Sequence, residues 1–197
     1  MTAEAVCYLL SNQEPKVRLK FQIALQCAPL LKRVKIACIT NIDQRLCKEL
    51  SGTLKGAGIS FKVLGVKEGK VRILFYRKEE FGAYIARSEN LEFLRSYGYS
   101  KGDVNSILLR LSERMQQALD AEDEFPHEIG VFLGYPIEDV RGFVIHKGKH
   151  YLIAGYWKVY GNPMKAAMIF HSYDHARTSV VNEVLIGKSI DEIVCYN

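Results

Sequence analysis

The stretch from Ile59 to Arg77 constrains the fold more than any other. Ile59, Phe61 and Val63 alternate with polar or exposed positions, and so do Val71, Ile73 and Phe75. Alternation of this kind places one set of side chains on each face of a strand. Between the two runs lies Lys67-Glu68-Gly69-Lys70, where Gly69 supplies the positive φ of a tight turn. The stretch predicts a β-hairpin, and the rest of the chain must cover it.

Most of that cover reads as helix. A short helix is expected over residues 4–11, packing Val6, Leu9 and Leu10, and Pro15 breaks it. Val17 to Val34 carries Leu19, Ile23, Ala24, Cys27, Leu30 and Leu31 at helical spacing. Pro29 lies inside that pattern and lacks a backbone donor, so the helix is expected to end or kink near Cys27. Lys35 to Thr40 is β-rich. Asp43 caps a helix from Gln44 to about Lys55, which Gly56 and Gly58 end. Beyond the hairpin, helices are expected over 79–86 and 89–97, with Gly98 closing the second. Asp103 caps a long amphipathic helix, Val104 to about Ala121, and Asp120 with the acidic residues 122–124 closes it.

From Glu124 to Gly161 the character changes. This stretch holds the one Trp, three of the five His and four of the eleven Tyr. Pro126 and Pro136 open two short helices, His127 to Gly134 and Pro136 to Gly142. Phe143–Ile145 and Tyr151–Val159 read as strands of a second hairpin, joined through His146-Lys147-Gly148-Lys149. Asn162 and Pro163 begin a helix to about Arg177. Ser179–Ile186 reads as a separate helix, and Ser189 with Glu192 forms a capping box for the last one. The order shows no regular β-α-β alternation. It predicts one α+β domain over residues 1–197, a small, largely antiparallel sheet of two hairpins covered by several helices.

Composition narrows the class. Hydrophobic residues make up 48% and charged residues 25%, which suits a folded globular chain rather than a disordered one. The net charge of +5 is scattered over Lys16, Arg18, Lys20, Lys32, Arg33, Lys35, Lys147 and Lys149, which argues against a nucleic-acid partner. No run of 18 apolar residues offers a membrane span. The N-terminus carries Glu4 and no basic leader, so no secretory signal is expected. Five cysteines, odd in number and without a C-x-x-C pair, point to a reducing cytoplasm and free thiols.

The run FPHEIGVFLGYPIEDVRGF, followed by KGKHYLIAGYWKVYG, resembles a bacterial family described as domain of unknown function 3793. Cys27-Ala28-Pro29-Leu30 with Lys35 resembles that family's N-terminal motif, usually Cys-Ala/Ser-Pro-Thr-Leu, with Leu30 here in place of Thr. The resemblance spans nearly the whole chain. It implies a bacterial, cytoplasmic, stand-alone domain and carries no activity with it.

Two kinds of chemistry are open to these residues. A thiolate nucleophile needs a base beside it, and Cys27, His127 and Glu128 are the candidate catalytic set, with Glu128 orienting the imidazole. The alternative for Cys27 is a buried thiol acting as a small hydrophobe. A zinc-protease pattern fails because position 131 is Val. The pairs His171/His175, with Asp174 nearby, and His146/His150 have chelating spacing without a four-ligand set, so no metal is expected. No phosphate-cradling glycine motif is present, and no cofactor is indicated. The other candidate is an aromatic binding face made of Tyr135, Tyr156, Trp157, Lys158 and Tyr160. On a strand, Tyr156, Lys158 and Tyr160 share one face while Trp157 and Val159 share the other. The sequence therefore predicts a protein that binds a small molecule or a protein partner through residues 124–161. An enzyme built on His127, Glu128 and Cys27 is the alternative.

Overall fold

Three antiparallel strands, β1 (Ala37–Asp43), β2 (Ser60–Lys67) and β3 (Lys70–Tyr76), form the central sheet in the order β1–β3–β2. They belong to a computed structural model that describes residues 7, 11–100, 102–121 and 125–195. The β2–β3 hairpin forms where the alternation places it. Glu68 (φ 51°) and Gly69 (φ 70°) both take left-handed backbone, the turn that matches the twist of paired strands. The register slips at Leu64, between Val63 and Gly65.

Helices cover both faces of this sheet. They are α1 (Pro15–Leu31), α2 (Leu50–Thr53), α3 (Lys78–Ile85), α4 (Ser88–Arg95), α5 (Val104–Ala121), α6 (Ile129–Phe132), α7 (Ile137–Ile145), α8 (Pro163–Leu185) and α9 (Ile190–Cys195). Cys38, Ile42, Val71, Ile73 and Phe75 bury one face against α1, the C-terminal half of α8, and α9. Ala37, Leu64, Leu74 and Tyr76 bury the other against α3 to α6. Burying a Leu- or Phe-sized side chain contributes about 1.5–3 kcal/mol, so a sheet covered on both faces is strongly held. A third, smaller cluster joins Trp157, Val159, Ala166 and Tyr173. It lies between the N-terminal half of α8 and a second hairpin, β4 (Ile153–Ala154) with β5 (Lys158–Val159).

The local signals for caps hold. Asp43 Oδ1 accepts from Arg45 N at 3.0 Å ahead of a 3-10 helix, Gln44–Glu49. Asp103 Oδ1 accepts from Asn105 N at 2.7 Å and Ser106 N at 3.0 Å. Asn162 Oδ1 accepts from Lys165 N at 3.0 Å, and Glu192 Oε2 accepts from Ser189 N at 2.8 Å.

Three expectations are corrected. Helix α1 runs through Pro29 to Leu31. Pro29 sits in the last turn, where only one helical bond is lost, and Arg77 donates to the carbonyls of Leu30 and Leu31 at 3.5 Å each. Residues 143–145 are the last turn of α7 rather than a strand. Lys147 (φ 49°) and Gly148 (φ 70°) turn the chain, with Gly148 N donating to Phe143 O and Lys147 N to Val144 O, the two bonds of a Schellman helix stop. The second hairpin therefore lies wholly within 151–159. Finally, α8 is one helix through Leu185, with Ser179 Oγ donating to Glu183 Oε1 in its interior. The helix expected over 4–11 and the acidic residues 122–124 fall largely outside the described residues.

Candidate functional site

Helices α6 and α7 are joined by Leu133 to Pro136 and pack closely at Gly130, where a Cβ would stand 2.8 Å from Val140 Cγ2. Across α7 lies the small hairpin. Its strands have two residues each, too few for backbone pairing alone to hold them. Side chains hold it instead. Asp139, in the first turn of α7, is 3% exposed. Its Oδ2 accepts from Trp157 Nε1 at 2.7 Å, and its Oδ1 accepts from Tyr160 N at 2.7 Å and Gly161 N at 2.8 Å. Three donors satisfy both oxygens, as a buried carboxylate requires.

The indole of Trp157 is the centre of the third cluster. It stacks on Tyr135 (ring centres 4.9 Å apart, 26° between planes) and meets Phe170 edge-on at 4.6 Å. Tyr135 donates from its hydroxyl to Tyr156 O at 3.3 Å, and its own carbonyl accepts from Tyr84 Oη at 3.2 Å. Burial pushes the Tyr135 hydroxyl up to about 12. The ammonium of Lys35 lies over the rings of Tyr135 and Tyr173, 5.1 Å and 5.5 Å from their centres. Burial lowers its pKa from the ordinary lysine value.

Between α6, α7, β1 and the small hairpin is a cavity of about 470 Å³. Ile39, Leu133, Val140, Phe143 and Trp157 give it apolar walls. His127 and Lys158 bring polar groups to it. Both adjoin the Phe143 ring: the His127 ring centre is 4.8 Å from it and Lys158 Nζ is 5.7 Å from it. Lys158 Nζ also lies 5.0 Å from the centre of Tyr151 and donates to Gly148 O at 2.8 Å.

Of the residues singled out in the sequence, His127, Tyr135, Trp157 and Lys158 line this cavity together. Tyr156 does not. It turns to α8, where its hydroxyl donates to Asp174 Oδ1 at 2.7 Å and its ring meets Tyr173 edge-on. Tyr160 stacks on His146 with ring centres 5.6 Å apart, and its buried hydroxyl has no hydrogen-bond partner among the described residues. Glu128 is fully buried and bound elsewhere. Its Oε1 accepts from Tyr99 Oη at 3.1 Å and from Arg114 Nε, and its Oε2 has no partner among the described residues. Cys27 is buried in the core on the opposite face of the sheet. The neighbouring Cys38 thiol and burial push its pKa well up, which keeps it protonated and weakly nucleophilic. The structure therefore does not bring Cys27 or Glu128 to His127.

The sequence reading missed Asp139 and Phe143. Asp139 sits beside Glu138 in the same helical turn, and its partners lie about twenty residues on, so nothing local marks it. Among the described residues, Cys7, Cys27, Cys38 and Cys47 are free thiols. No group of three or more His, Cys, Asp or Glu among them is arranged to hold a metal ion. No helix among them is long and apolar enough to cross a membrane.

A model of the family described as "Protein of unknown function (DUF3793)" matches residues 23–194. Neither the curated proteins nor the solved structures hold a match. The family match takes in the whole cavity wall and nearly all of both sheets' cover, and the chain belongs to that family.

Proposed function

We propose that this member of the family binds a small, largely apolar molecule in the cavity beside Trp157. One observation carries the reading: about 470 Å³ of space with apolar walls and a few polar groups, within the size of small-molecule sites. Its walls are built before any ligand arrives, because Asp139 and the Tyr135–Trp157 stack fix the hairpin side. The same reading takes residues 1–197 as one domain of a bacterial cytoplasmic protein; the free thiols among the described residues support the compartment.

The enzyme alternative keeps His127 at the cavity apart from Cys27, which is buried on the other face of the sheet, and from Glu128, which is bound to Tyr99 and Arg114, so binding is the better reading. A neutral, apolar fluorescent probe, N-phenyl-1-naphthylamine, tests it. The probe should bind saturably and brighten. Ala154→Phe, at an exposed residue on the cavity wall, should fill the space and remove binding while the fold stays intact. Equal brightening by both proteins would overturn the proposal.

A further inference from the structure

We infer that the ligand of this cavity carries a carboxylate head on its apolar body, with Lys158 as the residue that reads it. The inference rests on the cavity being a ligand site.

Among the described residues the cavity wall contains one carboxylate and one ammonium, and they differ in what they have left to offer. Asp139 has committed both oxygens to Trp157, Tyr160 and Gly161. Lys158 carries three N–H donors and uses one, on the neutral carbonyl of Gly148. No carboxylate lies within ion-pair distance of it among the described residues. The ammonium lies near the rings of Phe143 and Tyr151, and Phe143 lines the cavity with it. His127 adjoins the same Phe143 ring, so a second hydrogen-bonding group lies beside the same wall.

Two further lysines stand next to the residue that holds Lys158. Gly148, whose carbonyl holds Lys158, is flanked by exposed Lys147 and Lys149. An ammonium between aromatic rings, at an apolar cavity and with neighbouring cations, favours an anion over a neutral head group. Lys158 could be read as no more than a donor to the end of α7. That role uses one N–H, faces a carbonyl outside the helix proper, and leaves two donors for a carboxylate.

Octanoate and its neutral analogue octanamide are small enough for the cavity and have the same chain, so their difference isolates the head group. Each is titrated against bound N-phenyl-1-naphthylamine in wild type, Lys158→Met and Lys158→Arg. Octanoate should displace the probe at about tenfold lower concentration than octanamide in wild type, the scale of one partly buried charge-assisted contact. Lys158→Met keeps the stem over Phe143 and Tyr151 and should erase that preference with octanamide unchanged. Lys158→Arg should keep it. Added salt should weaken octanoate alone.

Equal displacement by acid and amide in wild type would overturn the carboxylate head and leave the cavity reading intact. So would loss of both ligands together in Lys158→Met, or a probe that neither ligand displaces. A probe that never binds would remove the cavity reading and this inference with it.

Discussion

The two hairpins of this protein are held together by different physics. In β2–β3, strands of eight and seven residues pair along their length and bury side chains on both faces. In β4–β5, two residues pair with two, and the hairpin stands because Asp139, Tyr135 and Phe170 grip Trp157 and the backbone after it. The first is a framework made by periodicity. The second is a wall made by particular side chains, and the cavity lies against it. A site assembled this way is sensitive to single atoms that the framework would tolerate.

Trp157→Ala breaks the contrast hardest. It removes the indole that fills the third cluster and should destabilise by about 3–5 kcal/mol, read by urea unfolding. Hydrogen exchange should show the loss concentrated at 151–161, with β2 and β3 retaining protection. Loss spread evenly over both hairpins would mean that the two regions are not separate.

Asp139→Asn sharpens it. The carbonyl oxygen of Asn can still accept from Tyr160 N and Gly161 N, but its amide then faces the indole N–H, donor against donor. A cost of about 1–3 kcal/mol is expected, with weaker probe binding. The isosteric Glu138→Gln, one residue before it, should stay within about 0.5 kcal/mol.

A pair of glycines compares the regions directly. A Cβ at Gly142 would lie 2.4 Å from Tyr160 Cγ and 2.5 Å from Tyr160 Cβ, and no side-chain rotation moves the Cβ aside. Gly142→Ala should displace the end of the small hairpin and cost about 1–3 kcal/mol. At Gly65 the closest atom is Leu119 Cδ1, the tip of a flexible side chain, at 2.7 Å. Gly65→Ala should cost less than about 1 kcal/mol by thermal or urea unfolding, because that tip can rotate away.

Lys35 gives a small effect with a pH signature. Burial lowers its pKa in the folded protein, so the charged form is disfavoured there relative to the unfolded chain. Below the lowered value the full penalty acts. As pH rises from that value towards the ordinary lysine range, the unfolded chain holds the proton longer, and stability rises. Lys35→Met should flatten that rise and stabilise the protein near neutral pH by less than about 1 kcal/mol, since the Tyr135 and Tyr173 ring faces already offset part of the penalty.

What the sequence disclosed divides along the same line. The turn at Glu68-Gly69, the caps at Asp103 and Asn162 and the Ser189–Glu192 box were legible because the partners lie within three residues of each other. The run Phe143-Val144-Ile145 was misread as strand because its residue types favour strands. The helix stop at Lys147-Gly148 decides the matter, and it depends on a hydrogen bond back to Phe143. The aromatic density of 124–161 pointed to His127, Tyr135, Trp157 and Lys158. It did not separate them from Tyr156 and Tyr160, which pack on α8 and His146 instead. Asp139 was illegible, since its partners are brought to it only by the fold. Cys27, Glu128 and His127 each looked reactive in isolation, and only packing shows that the sheet separates Cys27 from the cavity and that Glu128 belongs to Tyr99 and Arg114.

The central claim is that the space beside Trp157 receives a ligand. Trp157 is the one tryptophan in the chain and forms part of the cavity wall, so its emission reports on occupancy without a label. Titration with octanamide, which does not fluoresce, should change that emission saturably in wild type and leave Ala154→Phe unchanged. An emission change that is absent, that never saturates, or that is the same in both proteins would contradict the account.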